Sequence, residues 1–271
     1  MLALAVETST DAAAVALADE AGLLASFVVA RGRHHTETVV PAIAALCRRV
    51  GLTPADLDVL GVDVGPGLFA GLRVGVATVQ ALAFALDLPV ATATSFEVLA
   101  HAAAAAVPGA ALVVPVVDAR RGQVFSARFA PAPAPPPPVA PVVSVAPAAS
   151  AASTDVAADV RAVLRAVGPE TTLSVDELVA ELAAAAPSCA PGPVVVVGDG
   201  AARYRPQLAA VAGVVLPDAV GAPPVETLAR LTVADAVAGR VRPGPAVVPH
   251  YLRPADTRIR WETRRGLRKG A

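Results

Sequence analysis

Two acidic residues end apolar runs in a setting that suits phosphate and metal chemistry. Glu7 closes the run Leu2 to Val6 and is followed at once by Thr8, Ser9 and Thr10. Asp118 closes Leu112 to Val117 and leads into Ala119-Arg120-Arg121-Gly122. A carboxylate at a strand end can hold a metal ion, and a hairpin of small hydroxyl residues lets backbone amides approach phosphates. The first hairpin has that composition. The second is too bulky for close phosphate approach, although its arginines could neutralise an anion themselves. Glu7, Thr8, Ser9, Thr10 and Asp118 are therefore expected to be remnants of a nucleotide site, with no cofactor held and no catalytic residue among them.

Other chemistries find less. The histidines are His34, His35, His101 and His250. The adjacent pair points about 100° apart on a helix and cannot chelate one ion together. Cys47 and Cys189 are far apart, with no His or Cys at ligand spacing, so neither a zinc site nor a disulfide framework follows. No Ser/His arrangement suggests a peptidase. Gly65-Pro66-Gly67 ahead of a helix is a candidate anion site, because helix N-termini present free amides. The favoured reading is a tight strand-to-helix turn.

The elements that must carry these residues follow from hydrophobic periodicity. Leu2–Val6, Ala12–Ala18 and Leu23–Ala30 form a three-stranded meander, and Thr36–Val50 repeats its apolar residues at helical spacing. A strand over Val59–Val64, a helix over Gly71–Leu86, a strand at Val90 and a helix over Phe96–Ala106 complete the series. The order then restarts. Strands are expected at Leu112–Val117, Gln123–Phe129 and Val139–Val145, with helices at Val175–Ala186, Ala202–Ala210 and Val225–Val237 and a strand at Val194–Val197. Three strands, then helix, strand, helix, occurring twice, is the layout of a duplicated actin-like fold of the sugar-kinase and ribonuclease H type. The expected units are residues 1–107, residues 108–245 with a Pro/Ala-rich loop at 130–153, and a basic tail at 246–271.

Bulk properties bound the setting. Hydrophobic residues make up 55% of the chain, but Pro108 and Gly109 split the richest stretch, Val98 to Val117, into pieces near half of the ~20 residues a membrane span needs. No basic leader precedes the first apolar run, and the expectation is a soluble, cytoplasmic protein. The net charge of −1 makes the chain as a whole a poor electrostatic match for nucleic acid. Only Lys269 among the 22 basic residues is lysine, which with the abundant Ala, Val and Pro looks like GC-rich coding.

Four segments together resemble the TsaB (YeaZ) family. They are L-A-L-A-V-E-T-S-T at residues 2–10; Arg33, His35, Thr36, Glu37 and Pro41; G-P-G-L-F-A-G-L-R-V-G at 65–75; and D-A-R-R-G-Q-V-F at 118–125. A tail motif H-Y-L-R at 250–253 follows. The resemblance implies an actin-like α/β fold with two similar subdomains. It also implies a non-catalytic subunit of the machinery that places threonylcarbamoyl groups on transfer RNA. Its partners would be a TsaD-type transferase and a TsaE-type ATPase, with a homodimer as a further form and tRNA contacted through the complex. A small-molecule kinase or ATPase of the same fold is the alternative. The family usually carries a serine and a threonine around the loop phenylalanine, where this chain has Leu68 and Ala70, which further weakens a phosphate role.

The resemblance also places a partner surface on the two helices of the first half. Between Gly71 and Leu86 the only polar side chains are Arg73, Thr78 and Gln80, so that helix must bury more than one face. Thr36, Glu37, Val40, Gly71, Arg73, Gly75 and Thr78 are the expected contact residues, with the two glycines setting the approach distance.

Overall fold

The computed structural model describes residues 1–30, 35–132, 163–185, 191–211, 213–215 and 221–253. The expected strand at Val139–Val145, most of the Pro/Ala-rich loop, Arg33, His34, Cys189 and the tail beyond Arg253 lie outside the described residues.

Two sheets carry the architecture. The first contains β1 (Ala3–Glu7), β2 (Ala13–Asp19), β3 (Gly22–Val29), β4 (Val59–Asp63) and β5 (Val90–Ala93), in the order β3-β2-β1-β4-β5. The main path of the second contains β6 (Leu112–Arg120), β7 (Gln123–Ser126), β10 (Thr171–Ser174), β11 (Val194–Val197) and β12 (Val214–Val215), in the order β10-β7-β6-β11-β12. The two orders superimpose strand by strand: an antiparallel meander of three, then two strands parallel to the first. β8 (Phe129–Pro131) and β9 (Leu164–Ala166) form an added ladder beside β6.

The helices repeat too. α1 (His35–Arg49), α2 (Phe69–Leu86) and α3 (Ser95–Ala106) follow β3, β4 and β5. In the second half α4 (Val175–Ala185) follows β10, and α7 (Val225–Val237) follows β12. Between β11 and β12 the expected single helix is two short ones, α5 (Asp199–Arg203) and α6 (Arg205–Ala209), which meet at Tyr204 with Pro206 in the first turn of the second. Proline lacks the amide an uninterrupted helix needs there.

Strand composition decides what lies on each face. β1 is apolar up to Glu7 and wholly buried, as a strand covered on both sides must be. Leu4 and Val6, with Val15 and Leu17, pack under α1 and α2. Ala3 and Ala5, with Ala14 and Ala16, turn the other way and receive α7. The small face admits that helix closely. At Gly61 a Cβ would lie 1.9 Å from Thr232 Oγ1. In the second sheet Val113, Val117, Val195 and Val197 meet Phe96, Leu99, Ala100 and Ala103 of α3. Val114, Val116 and Val196 meet α4 and the α5–α6 pair.

The last helix of each series therefore covers the sheet of the opposite half: α3 lies on the second sheet, α7 on the first, and the two touch each other. The start of α3 is well defined. Thr94 caps it and accepts a bond from Glu97 N at 3.1 Å, while the Glu97 carboxylate returns to Thr94 N at 2.7 Å.

Residues 241–253 have no periodicity, yet they tie the halves together. Arg242 pairs with Val90, Val247 is fully buried in the first core, and His250 N donates to Val64 O at 2.7 Å. Leu252 then packs against the second core, and Arg253 Nη1 reaches Ala119 O at 2.9 Å.

Candidate functional site

The parallel pairing of β1 with β4 sets Val6 beside Val62, so Glu7 and Asp63 emerge side by side at the strand ends. Both are sealed from solvent. Ser9 donates its amide (2.7 Å) and hydroxyl (2.6 Å) to Glu7 Oε1. Asp63 accepts Gly65 N at 2.7 Å and the Ser95 hydroxyl at 2.7 and 2.9 Å. Burial raises both carboxyls above their ordinary range, and for Glu7 the neighbouring Asp63 raises it further. Two adjacent buried carboxyls are costly to ionise together, so Glu7 keeps its proton to higher pH than an ordinary carboxyl. Among the described residues Glu7 Oε2 is buried without a hydrogen-bond partner, a setting that disfavours its charged form. Asp63 and Ser95 escaped the sequence analysis, although an acid at a strand end before Gly65-Pro66-Gly67 mirrors Glu7.

The second half repeats this arrangement with Asp118 and Asp199, to different effect. Asp199 Oδ1 accepts the Asp118 amide at 2.9 Å, and burial raises its carboxyl. Asp118 is closed by two arginines, Arg120 and Arg203, each with a guanidinium nitrogen 3.2 Å from Oδ2. Arg120 and Arg121 both adopt left-handed backbone, at φ 65 and 56. This conformation costs a non-glycine residue about 1–2 kcal/mol each and is usually given to Asn-Gly pairs.

The first hairpin is committed just as fully. Thr8 Oγ1 donates to Gly71 O at 2.9 Å, Thr10 Oγ1 accepts Ala12 N at 3.2 Å, and Leu68 N donates to Ser9 O at 2.7 Å. His35 Nε2 lies 3.0 Å from Thr10 O and 3.1 Å from Ala12 O, fixing the start of α1 to that hairpin. The Gly65-Pro66-Gly67 turn presses on the same hairpin, since a Cβ on Gly67 would meet Ser9 O at 2.2 Å. Among the described residues no three His, Cys, Asp or Glu side chains gather as metal ligands.

Two of the expected contact residues are corrected by the structure. Gly71 and Gly75 face inward: a Cβ on Gly71 would lie 2.1 Å from Thr8 O, and one on Gly75 2.3 Å from Thr8 Oγ1. They set the distance between α2 and its own first hairpin, not a partner helix. Thr36, Glu37, Val40 and Arg73 are exposed and Thr78 is half-buried. The outward face of α2 is instead formed by Ala70, Ala77, Ala81 and Phe84, the last 87% exposed, and on α1 Val40 and Pro41 are exposed. At 18 residues α2 is long and apolar enough to cross a membrane, but its inner face is buried in the first core and Gln80 Nε2 donates to Val247 O at 2.8 Å.

The two halves with matching strand orders define an actin-like, duplicated α/β protein. Solved structures agree: YeaZ from Pseudomonas aeruginosa has the same fold, with a TM-score of 0.69 at 24% identity over 93% of this chain and 99% of that one. In sequence, the family model described as "TsaD: tRNA N6-adenosine threonylcarbamoyltransferase" matches residues 28–132. The tRNA threonylcarbamoyladenosine biosynthesis protein TsaB of Bacillus subtilis is 34% identical over 129 residues, covering 48% of this chain and 55% of the relative. Its Escherichia coli counterpart is 32% identical over 129 residues, with the same coverage of 48% and 55%. The aligned region thus spans about half the length of these curated relatives. Over the aligned region the chain is similar to these TsaB proteins.

Proposed function

We propose that this protein is a non-catalytic subunit of the cytoplasmic machinery that forms threonylcarbamoyladenosine in tRNA, acting by docking to a TsaD-type transferase. The observation that carries this reading is the internal commitment of the carboxylates at the strand ends. Glu7 and Asp63 are buried side by side and take their bonds from Ser9, Gly65 and Ser95, and Asp118 is closed by Arg120 and Arg203. A magnesium-nucleotide would have to break those bonds and recharge a buried carboxyl, a cost of several kcal/mol. The kinase or ATPase alternative is not favoured for the same reason.

The docking surface in this reading is the exposed face of α1 and α2. Ala77 and Ala81 let another helix approach closely, and Val40 and Phe84 offer apolar side chains for it to cover. A TsaE-type ATPase would join the assembled pair, tRNA would be met through the complex, and a second copy of the chain would compete for the same face.

The test mixes the purified chain with the TsaD-type subunit of its own organism, using light scattering and a binding titration. A one-to-one complex is expected. Ala81→Arg should weaken it by about 10-fold or more while the melting temperature holds, because a guanidinium on a close helix contact is an overpacked, desolvated charge. Failure of the wild-type chain to bind would overturn the docking role. Magnesium-dependent ATP turnover by the chain alone would overturn the non-catalytic one.

A further inference from the structure

Where the two halves face each other, a cleft of about 640 Å³ opens between the first turn of α2, the β6–β7 hairpin and the crossing segment at 250–253. Its lining is strongly biased in charge: Arg73, Arg120, Arg121 and Arg253 against one carboxylate, Asp118. That carboxylate is already balanced by Arg203 and by Arg120, which also meets Asp11 Oδ2 at 3.6 Å. Among the described residues the contacts of Arg73 are the Phe69 ring, 4.0 Å below its guanidinium, and the Tyr251 hydroxyl at 3.3 Å. Arg253 bonds Ala119 O and the Gln123 side-chain oxygen. These partners are neutral, so they orient the two guanidinium groups without cancelling their charge.

We propose that this cleft is a metal-independent binding site for a phosphate-bearing anion of at least two negative charges, held by arginine side chains. Three features support it. The guanidinium fork matches phosphate oxygens two at a time. The contacts of Arg73 and Arg253 orient both groups before any ligand arrives, which lowers the ordering cost of binding. The β6–β7 hairpin keeps two arginines in left-handed backbone at the cleft mouth, and strained positions of this kind concentrate where a ligand is held. The site differs from a hairpin-and-magnesium nucleotide site in its donors: the hydroxyls of Thr8 and Ser9 point into bonds of their own and take no part.

Calorimetric titration of the full chain with pyrophosphate, at fixed ionic strength and with a chelator present, tests this directly. Saturable binding is expected. The double variant Arg73→Gln/Arg253→Gln should weaken it by about 10-fold or more, since a single charge-assisted hydrogen bond is worth that order. A thermal melt of the double variant separates loss of the site from loss of the fold, and Arg121→Gln, at an exposed hairpin position, gives a second reading if it does not fold. Binding that survives both variants would belong to the arginine-rich residues 254–271 and would overturn the assignment. So would binding that appears only when magnesium is added, or no binding at all.

Discussion

Gly71→Ala is the sharpest probe of how the first half is built. The added Cβ would sit 2.1 Å from Thr8 O, a backbone atom at the end of β1 that cannot swing away. Restoring ordinary contact means moving α2 or the hairpin by about 1 Å, and overpacking of this kind costs about 1–3 kcal/mol. The same displacement breaks the 2.9 Å bond from Thr8 Oγ1 to Gly71 O, another ~1 kcal/mol. Against this, alanine is favoured over glycine inside a helix by roughly 1 kcal/mol. The net loss is about 1–3 kcal/mol, a fall in melting temperature of roughly 2–12 °C for a chain of this size. Gly75→Ala should cost less, because its Cβ meets the Thr8 side chain at 2.3 Å and not the backbone, and Thr8→Ala in the same chain should relieve it. Circular-dichroism melts of the single and double variants, with denaturant titrations, supply the numbers. A Gly71→Ala protein as stable as wild type, or more so, would show that helix propensity dominates and that the close approach carries no constraint.

Three further outcomes are expected. The folded state holds a proton on Glu7 over a pH range where the unfolded chain has released it, so this pair's contribution to stability falls as pH rises from the ordinary carboxylate range through the raised folded value. Glu7→Gln removes the ionisable group at nearly the same size, so melts from pH 5 to 8 should show wild type losing stability relative to the variant as pH rises; parallel curves would exclude a raised Glu7 carboxyl. Thr94→Ala removes the cap of α3 and should cost about 1 kcal/mol in urea unfolding, with Thr94→Ser recovering most of it. Val40→Asp should leave the melting temperature within about 1 °C, since the side chain is 58% exposed, and should reduce affinity for a TsaD-type subunit if α1 forms part of the docking face.

Much of this fold was legible because the apolar runs are long and their periods clear. The repeat of three strands, helix, strand and helix emerged from spacing alone, and the helix bounds of the first half fall within two residues. Less visible was the third strand of the second half. Thr171–Ser174 is four residues long, mostly polar and partly exposed, whereas the run at Val139–Val145 carries the stronger β composition. Hydrophobic period also cannot say which sheet a helix covers, so the crossing of α3 and α7 was hidden. The acid pair was half seen: Glu7 stood out, while Asp63 was read only as part of a strand. Gly71 and Gly75 were noticed for their size, but a glycine on an apolar helix looks the same whether it admits a partner or the chain's own hairpin.

The crossing of α3 and α7 bears on how such a chain could have arisen. A single ancestral unit of sheet and three helices would keep its third helix off its own sheet, leaving the alanine face of β1 and β2 bare. Two such units could satisfy each other by exchanging those helices, as α3 and α7 do here. Gene duplication and fusion would then have turned an obligatory pairing of separate chains into contacts within one. It would also have freed the two halves to diverge: one kept a buried acid pair at its hairpin, and the other filled the corresponding place with arginine.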